Sequence, residues 1–375
     1  MTTSKTTATT HLAALLHGAH DIRLTQIPTP APLPNEVQIR PRATGICGTD
    51  MHYYHAGKNG IFVVRTPLVL GHEAAGEVVA VGSAVASSIA QVGDRVAIEP
   101  QRACAACKEC RVGKYNLCRN LTFNGSASAD PPAQGSLQEV FCHPASFIHK
   151  LPKNVSWEQG AMVEPLSVAV HAVRRSGLVS GQNVLVLGAG AIGLLCAAVA
   201  KVSGATSIGM IDVDQSRLEF AKKHGMADAV FTIPMNGDDG ETKADFAARI
   251  AKDTLARDEF TLADVIFECT GVESCVNIGI HCAARGGKVV LVGMGSPLQT
   301  LAVGAAAVKE VDLMGLWRYA NTFPTAIGLI ASGRLDVQPL ITHTFDLSKA
   351  KEALEMVISR PADLVKCIIT SVGSP

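Results

Sequence analysis

The segment Asn183–Gly193 reads NVLVLGAGAIG. Asn183–Leu187 is a short apolar run with strand character. Gly188, Gly190 and Gly193 follow it as G-x-G-x-x-G, at the mouth of an alanine-rich helix expected over Ala191–Ser203. Gly188 permits the tight turn, Gly190 lets backbone approach a pyrophosphate, and Gly193 lets helix and strand pack closely. The free N–H groups of the helix start then face phosphate.

Outward from this turn the chain alternates. Ser207–Ile211 reads as a second strand, Gln215–His224 as a second helix, and Val265–Glu268 and Lys288–Val292 as further strands. Alternation with short connections predicts an α/β, doubly wound parallel sheet of the Rossmann kind. The second strand runs into Asp212, nineteen residues after Gly193, where a carboxylate can take the adenosine ribose hydroxyls. A carboxylate there repels a 2′-phosphate, so NAD is expected over NADP; Arg217 could assist either cofactor. Asn236–Lys243 (NGDDGETK) reads as a surface loop, Lys349–Ile358 as a late amphipathic helix and Leu364–Ile369 as a last strand.

The residues before about 165 differ. Short β-rich runs, Glu36–Arg40, Ala75–Val79 and Arg95–Ile98, are split by turn residues, and Pro28, Pro30, Pro32 and Pro34 punctuate the start. This predicts an irregular, mostly β domain. With 375 residues the chain suits two domains. Lysine plus arginine and aspartate plus glutamate number 33 each, which removes a general electrostatic reason for a nucleic-acid or anionic-membrane partner. No apolar run reaches the length of a membrane span. The Thr-rich first ten residues lack a secretory apolar stretch and read as a frayed start, and Gly373-Ser374-Pro375 matches no retention address. A cytoplasmic setting is expected.

Four of the eleven cysteines, Cys104, Cys107, Cys110 and Cys118, fall within fifteen residues. Four thiolates at that spacing can close a tetrahedral shell around zinc with no position left for substrate, so a structural ion is expected in a lobe at about 100–120. Scattered thiols such as Cys196 and Cys269 read as small buried hydrophobes. A second set, Cys47 with His72 and Glu73, carries thiolate, imidazole and carboxylate on separate segments, a combination able to hold zinc with an open position. Spacing alone does not make them converge.

The segments GICGTDMHYYHAGKNG, PLVLGHEAAGEVVAVG, VGDRVAIEP, VEPLSVAVHA, GAGAIG, ECTG and GLWRYANTFPTAI, with the cysteine cluster, cover nearly the whole chain after residue 35. In these the chain resembles the medium-chain zinc dehydrogenases, in particular their polyol branch of sorbitol, xylitol and L-arabinitol dehydrogenases, with L-idonate dehydrogenase nearby. The resemblance implies a GroES-like catalytic domain over 1–165, a Rossmann NAD-binding domain over 166–315 and a return segment, 316–375, completing the first. It implies that Cys47, His72 and Glu73 hold a catalytic zinc, with Glu164 binding its water or ligating directly. Tyr53, Phe123, Glu164, Arg318 and Tyr319 would meet the polyol. Ile192, Val292, Gly293, Met294, Leu316 and Arg318 would line the cofactor side with the glycine turn. A proton would leave through Thr49 and His52, whose imidazole suits a relay. The implied enzyme is a homotetramer oxidising a secondary hydroxyl, of the sorbitol or L-iditol 2-dehydrogenase type. Xylitol, L-arabinitol and L-idonate are the alternative substrates. Ala191 replaces the fingerprint's usual proline, Thr49 a common serine, and the loop Asn124–Gln134 is longer than usual.

Overall fold

The computed structural model describes residues 9–371, and their contacts divide the chain into two compact units. One comprises Met1–Glu164 with Ala326–Pro375; the other is Pro165–Thr325. The frayed start expected over the first ten residues lies outside the described residues up to residue 8, and Thr10 already opens a strand.

The Pro165–Thr325 unit is a six-stranded, all-parallel sheet. In chain order its strands are Asn183–Leu187, Ser207–Asp212, Ala229–Thr232, Ala263–Glu268, Ala283–Leu291 and Asp312–Gly315. Across the sheet the third lies outermost, then the second, first, fourth, fifth and sixth. Strand order reverses between Asn183–Leu187 and Ala263–Glu268, and ligands of such sheets bind outside the carboxyl ends of the strands at that reversal. The inner strands Asn183–Leu187, Ser207–Asp212 and Ala263–Glu268 are nearly continuous buried runs, as strands covered by helices on both faces are. Leu185, Leu187, Ile211, Phe231 and Ile266 pack with Phe246, Ile250, Val276 and Ile280 of the helices. The helix Ala191–Val202 follows the glycine turn as expected, and Gln215–Lys223 follows Asp214, whose carboxylate caps it by accepting the Ser216 and Arg217 N–H groups. The helix Lys243–Leu255 begins where the polar loop ends, capped by Thr242.

The other unit centres on a seven-stranded sheet. Glu36–Gly45 is its pivot: it pairs antiparallel with Glu73–Val81 on one side and with Phe141–Pro144 and Lys366–Thr370 on the other. A three-stranded sheet joins Thr10–Gly18 to Asp21–Pro28 and Leu68–Val69. Two apolar clusters hold these sheets. Leu16, Tyr53, Tyr54, Leu70, Leu354 and Ile369 share one; Val37, Ile39, Val78, Val96, Ile98 and Phe141 share the other. The return segment is therefore built into this unit's sheet and core.

Candidate functional site

Three sets of residues carry chemistry. The first is built at the end of the pivot strand. Gly45 opposes Glu73 in the antiparallel ladder, so the chain leaving Gly45 towards Cys47 runs beside the chain entering at His72 and Glu73. Cys47 then starts the helix Gly48–Ala56. The Cys47 sulfur, a His72 ring nitrogen and a Glu73 oxygen all lie within 4.8 Å of one another. A tetrahedral ion with bonds of about 2.0–2.3 Å keeps its donors roughly 3.5 Å apart, so this donor set fits zinc. Both Glu73 oxygens lie against the buried Lys366 ammonium, at 2.6 and 2.5 Å, and each keeps a further lone pair for an ion.

Asp50 orders this set. Its Oδ2 accepts the Cys47 N–H at 2.9 Å and its Oδ1 accepts the Gly71 N–H at 3.1 Å, tying together the two segments that carry the donors. Oδ1 also stands 3.5 Å from His72 Nδ1, both side chains being buried. Burial disfavours the His72 imidazolium, yet the Asp50 carboxylate and Cys47 outweigh it and hold its pKa well above the usual histidine range in the metal-free chain. Burial likewise works against the Asp50 carboxylate, but His72 and the two amides more than offset it and lower its pKa. Turning Nδ1 towards Asp50 leaves the other ring nitrogen for a metal.

Phe123 is buried against His72, ring centroids 5.2 Å apart. Tyr53 is fully buried; its hydroxyl accepts the Ala127 N–H at 3.1 Å and shares a hydrogen with Ser126 Oγ at 3.1 Å. Thr49 is half-buried and His52 exposed on the same helix. Glu164 is buried in the first turn of Val163–Ser176 and lies outside the three-donor group among the described residues.

The second set is the cysteine lobe. The donors of Cys104, Cys107, Cys110 and Cys118 lie within 4.8 Å of one another around the short helix Lys108–Arg111. All four are free thiols. Cys104 N–H points at Cys118 Sγ and Cys107 N–H at Cys104 Sγ, each 3.4 Å away. The backbone amides of Ala106 and Cys107 pull the Cys104 pKa down to about 6, whereas burial and the thiols of Cys107 and Cys118 push Cys110 up to about 12. Four sulfurs with amides aimed at them fit a closed tetrahedral zinc site.

The third set lies in the parallel sheet. Gly188 has φ of +99° and a Cβ at Gly193 would sit 1.8 Å from Gly188 oxygen, so both glycines are required. Gly190 has open space where a side chain would be, room for a phosphate at the helix start. Asp212 Oδ2 accepts the Ala189 N–H at 2.6 Å, bringing its carboxylate to the glycine turn, and Oδ1 accepts the Asp214 N–H at 2.9 Å. Arg217 Nε lies 3.5 Å from Asp214, so its charge is engaged there. Across the reversal point, the N–H groups of Val292 and Gly293 both donate to Glu268 oxygen at 2.8 Å. The buried Glu268 carboxylate accepts the N–H groups of Thr270 and Gly271, and burial raises its pKa. Ile192 and Leu316 are half-buried and Met294 exposed. Arg318 lies over the Trp317 ring at 5.0 Å with φ of +49°, and Tyr319 is buried 5.7 Å from the Phe323 ring.

Sequence reasoning had no role for Asp50, Glu268 or Lys366. Asp50 carried a signal: an acceptor three residues into a helix caps its first N–H groups. Lys366, which donates to Glu73, carried none.

An alcohol dehydrogenase GroES-like domain model matches residues 33–153, and a zinc-binding dehydrogenase model matches residues 191–332. Sorbitol dehydrogenase of Gallus gallus is 44% identical over 345 residues, covering 92% of each chain. Among solved structures, L-idonate 5-dehydrogenase from Escherichia coli K-12 superposes with a TM-score of 0.84 at 28% identity, covering 96% of this chain and 98% of that one. The short chain alcohol dehydrogenase rspB from E. coli CFT073, solved with NADH, gives a TM-score of 0.85 at 27% identity over 96% of this chain and 99% of that one.

Proposed function

The chain belongs to the zinc-dependent medium-chain dehydrogenases, in their polyol branch, and we propose that it oxidises a secondary hydroxyl of a sugar alcohol to the ketose with reduction of NAD, the sorbitol or L-iditol 2-dehydrogenase reaction. The observation that carries this reading is the convergence of Cys47, His72 and Glu73 on one point.

Zinc held by these three supplies Lewis acidity, of the strength that takes water from a pKa of about 15.7 to about 7. The protein's own residues do the rest. Asp50 fixes the ring of His72, and Phe123 packs on that ring and excludes water from one side of it. Glu164, buried in the first turn of Val163–Ser176, orients the substrate hydroxyl or its water. Tyr53 secures the Ser126–Ala127 segment of the long loop with its hydroxyl and meets the polyol from there. Thr49 takes the released proton towards His52, which reaches solvent.

In the parallel-sheet unit, Gly188, Gly190 and Gly193 cradle the pyrophosphate and Asp212 takes the ribose hydroxyls. Ile192, Val292, Gly293, Met294 and Leu316 line the nicotinamide side, while Arg318 and Tyr319 bind polyol hydroxyls and Arg318 also touches the cofactor. The family resemblance supports these roles, and supports a cytoplasmic homotetramer. No helix among the described residues is long and apolar enough to cross a membrane.

The likeness to L-idonate 5-dehydrogenase favours a second reading, in which the substrate carries a carboxylate. Steady-state rates with NAD on sorbitol, xylitol, L-arabinitol and L-idonate separate the two. A kcat/KM highest for a neutral polyol supports the first; L-idonate at the top replaces it with the second. Absence of turnover on all four overturns both.

A further inference from the structure

Lys366 is a buried lysine placed where the metal's carboxylate is held. Ile368 opposes Gly45 across one side of the pivot strand, and Glu73 opposes Gly45 across the other. Because Gly45 has no side chain, Lys366 and Glu73 meet over it. A Cβ there would lie 2.2 Å from Glu73 Oε2 and 3.2 Å from Lys366 Cε. Lys366 Nζ donates to Glu73 Oε1 at 2.6 Å and to Ile46 oxygen at 3.1 Å, and stands 2.5 Å from Oε2. The two side chains are 6% and 1% exposed.

Buried ion pairs are a weak source of stability, since apolar residues of the same volume often do as well or better. The pair therefore calls for another explanation, and the charge count offers one. Zinc would bring two positive charges, while the Cys47 thiolate, Glu73, Glu164 and Asp50 bring four negative ones. Lys366 offsets half of the net negative charge that remains. A carboxylate whose electrons are shared with an ammonium also gives less to a metal.

We propose that Lys366 is a positioning residue that tethers Glu73 and draws off part of its charge, so that the ion stays electron-poor enough to acidify the substrate hydroxyl. This rests on reading Cys47, His72 and Glu73 as the metal's donors.

The test uses the zinc enzyme and a cobalt-substituted form of it, with Lys366→Met removing the charge at similar length and Lys366→Arg keeping it. Three quantities are measured: metal release from the catalytic site to a chelator, the visible spectrum of cobalt, and kcat. Partners of metal ligands shift affinity or activity by about 10- to 100-fold. Lys366→Met is expected to release its metal about tenfold more slowly, to shift the cobalt bands and to lower kcat by a similar factor, while Lys366→Arg stays near wild type in release and spectrum. Release and spectrum unchanged in Lys366→Met, with only the melting temperature lowered, would show a lysine that merely fills the core and overturn the proposal; faster release would overturn it as well. Should Lys366→Met fail to fold, Glu73→Gln and the double variant Glu73→Gln/Lys366→Met replace it, because a neutral amide needs no counter-charge. Equal metal release in those two supports action through Glu73, and a difference refutes it. If the wild-type enzyme holds only the cysteine-lobe metal, the donor reading itself fails and the proposal falls with it, a result visible before any variant is compared.

Discussion

Asp50 Oδ1 faces His72 Nδ1 at 3.5 Å while the same carboxylate accepts the N–H groups of Cys47 and Gly71. One buried side chain thus sets the ring orientation of one metal donor and the backbone position of another. The carboxylate–histidine–metal arrangement raises the basicity of the ligating imidazole. Asp50→Asn keeps the shape and removes the charge. Its catalytic-site metal affinity is expected to fall about 10- to 100-fold, with the cysteine-lobe metal untouched. Metal content after dialysis against graded chelator measures this. An unchanged catalytic-site metal content across the chelator series would show that Asp50 does not tune His72.

Cys110→Ser addresses the lobe. Backbone amides pull Cys104 down to about 6 while burial and the neighbouring thiols push Cys110 up to about 12, so Cys104 gives up its proton far more readily than Cys110. The four donors stand together around the helix Lys108–Arg111, so an ion there would tie the segments on both sides of that helix to one point. The variant is expected to lose one metal equivalent, to melt at lower temperature and to become sensitive to protease between residues 100 and 120. The catalytic-site metal and NAD binding should persist. A variant with wild-type heat resistance and one metal fewer would make the lobe's ion dispensable to the fold.

The two units were legible to different depths, and the difference is physical. In the parallel sheet the inner strands Asn183–Leu187, Ser207–Asp212 and Ala263–Glu268 are buried apolar runs followed by helices, so period and glycine placement mark them, whereas the outer strands Ala229–Thr232 and Asp312–Gly315, short and less buried, went unread. The Asn183–Leu187 strand has the expected ends, and the helix after it stops one residue short. The pivot sheet depends on pairings between distant segments. The Gly45–Glu73 and Gly45–Ile368 registers that assemble the metal donors leave no periodic trace in the chain. The hairpin of Thr10–Gly18 and Asp21–Pro28 was hidden because THLAALLHG reads equally as helix or strand, and the prolines from Pro28 onward dominate the segment. The helix Val163–Ser176 was read only as a motif around Glu164. A buried lysine such as Lys366 looks in sequence like any strand lysine facing water; only its partner identifies it.

The loop into the helix Lys243–Leu255 gives a pH prediction. The Arg249 guanidinium hydrogen-bonds both oxygens of Glu241 at 2.8 Å and holds its pKa down to about 2, against an ordinary 4.5. A carboxyl depressed in the folded state contributes stability that is fully present above 4.5 and lost as pH falls from there to about 2. In Arg249→Met the Glu241 carboxyl should titrate close to 4.5, and stability should fall less steeply across that window. Carbon-detected titration of the Glu241 side chain, with melting curves between these limits, checks both. A Glu241 pKa still near 2 would mean that the Asp238 N–H it also accepts holds it down instead.

Asp212 supports the last prediction. Its carboxylate is anchored to the glycine turn through the Ala189 N–H at 2.6 Å, and Arg217, on the helix that follows, is engaged by Asp214. The carboxylate is thus fixed in place, as discrimination against a 2′-phosphate requires. Asp212→Ser removes both the ribose acceptor and the repulsion. Hydrogen bonds to a charged group are worth about 1.5–3 kcal/mol, so kcat/KM for NAD should drop by roughly 10- to 150-fold. The substitution also releases the Ala189 N–H and loosens the turn, which penalises both cofactors alike. The informative quantity is therefore the ratio of kcat/KM for NAD to that for NADP, in which turn damage cancels and charge does not. A ratio that falls about tenfold or more identifies the carboxylate as the selector. If both values fall by the same factor, Asp212 serves the turn alone and selection lies elsewhere in the site.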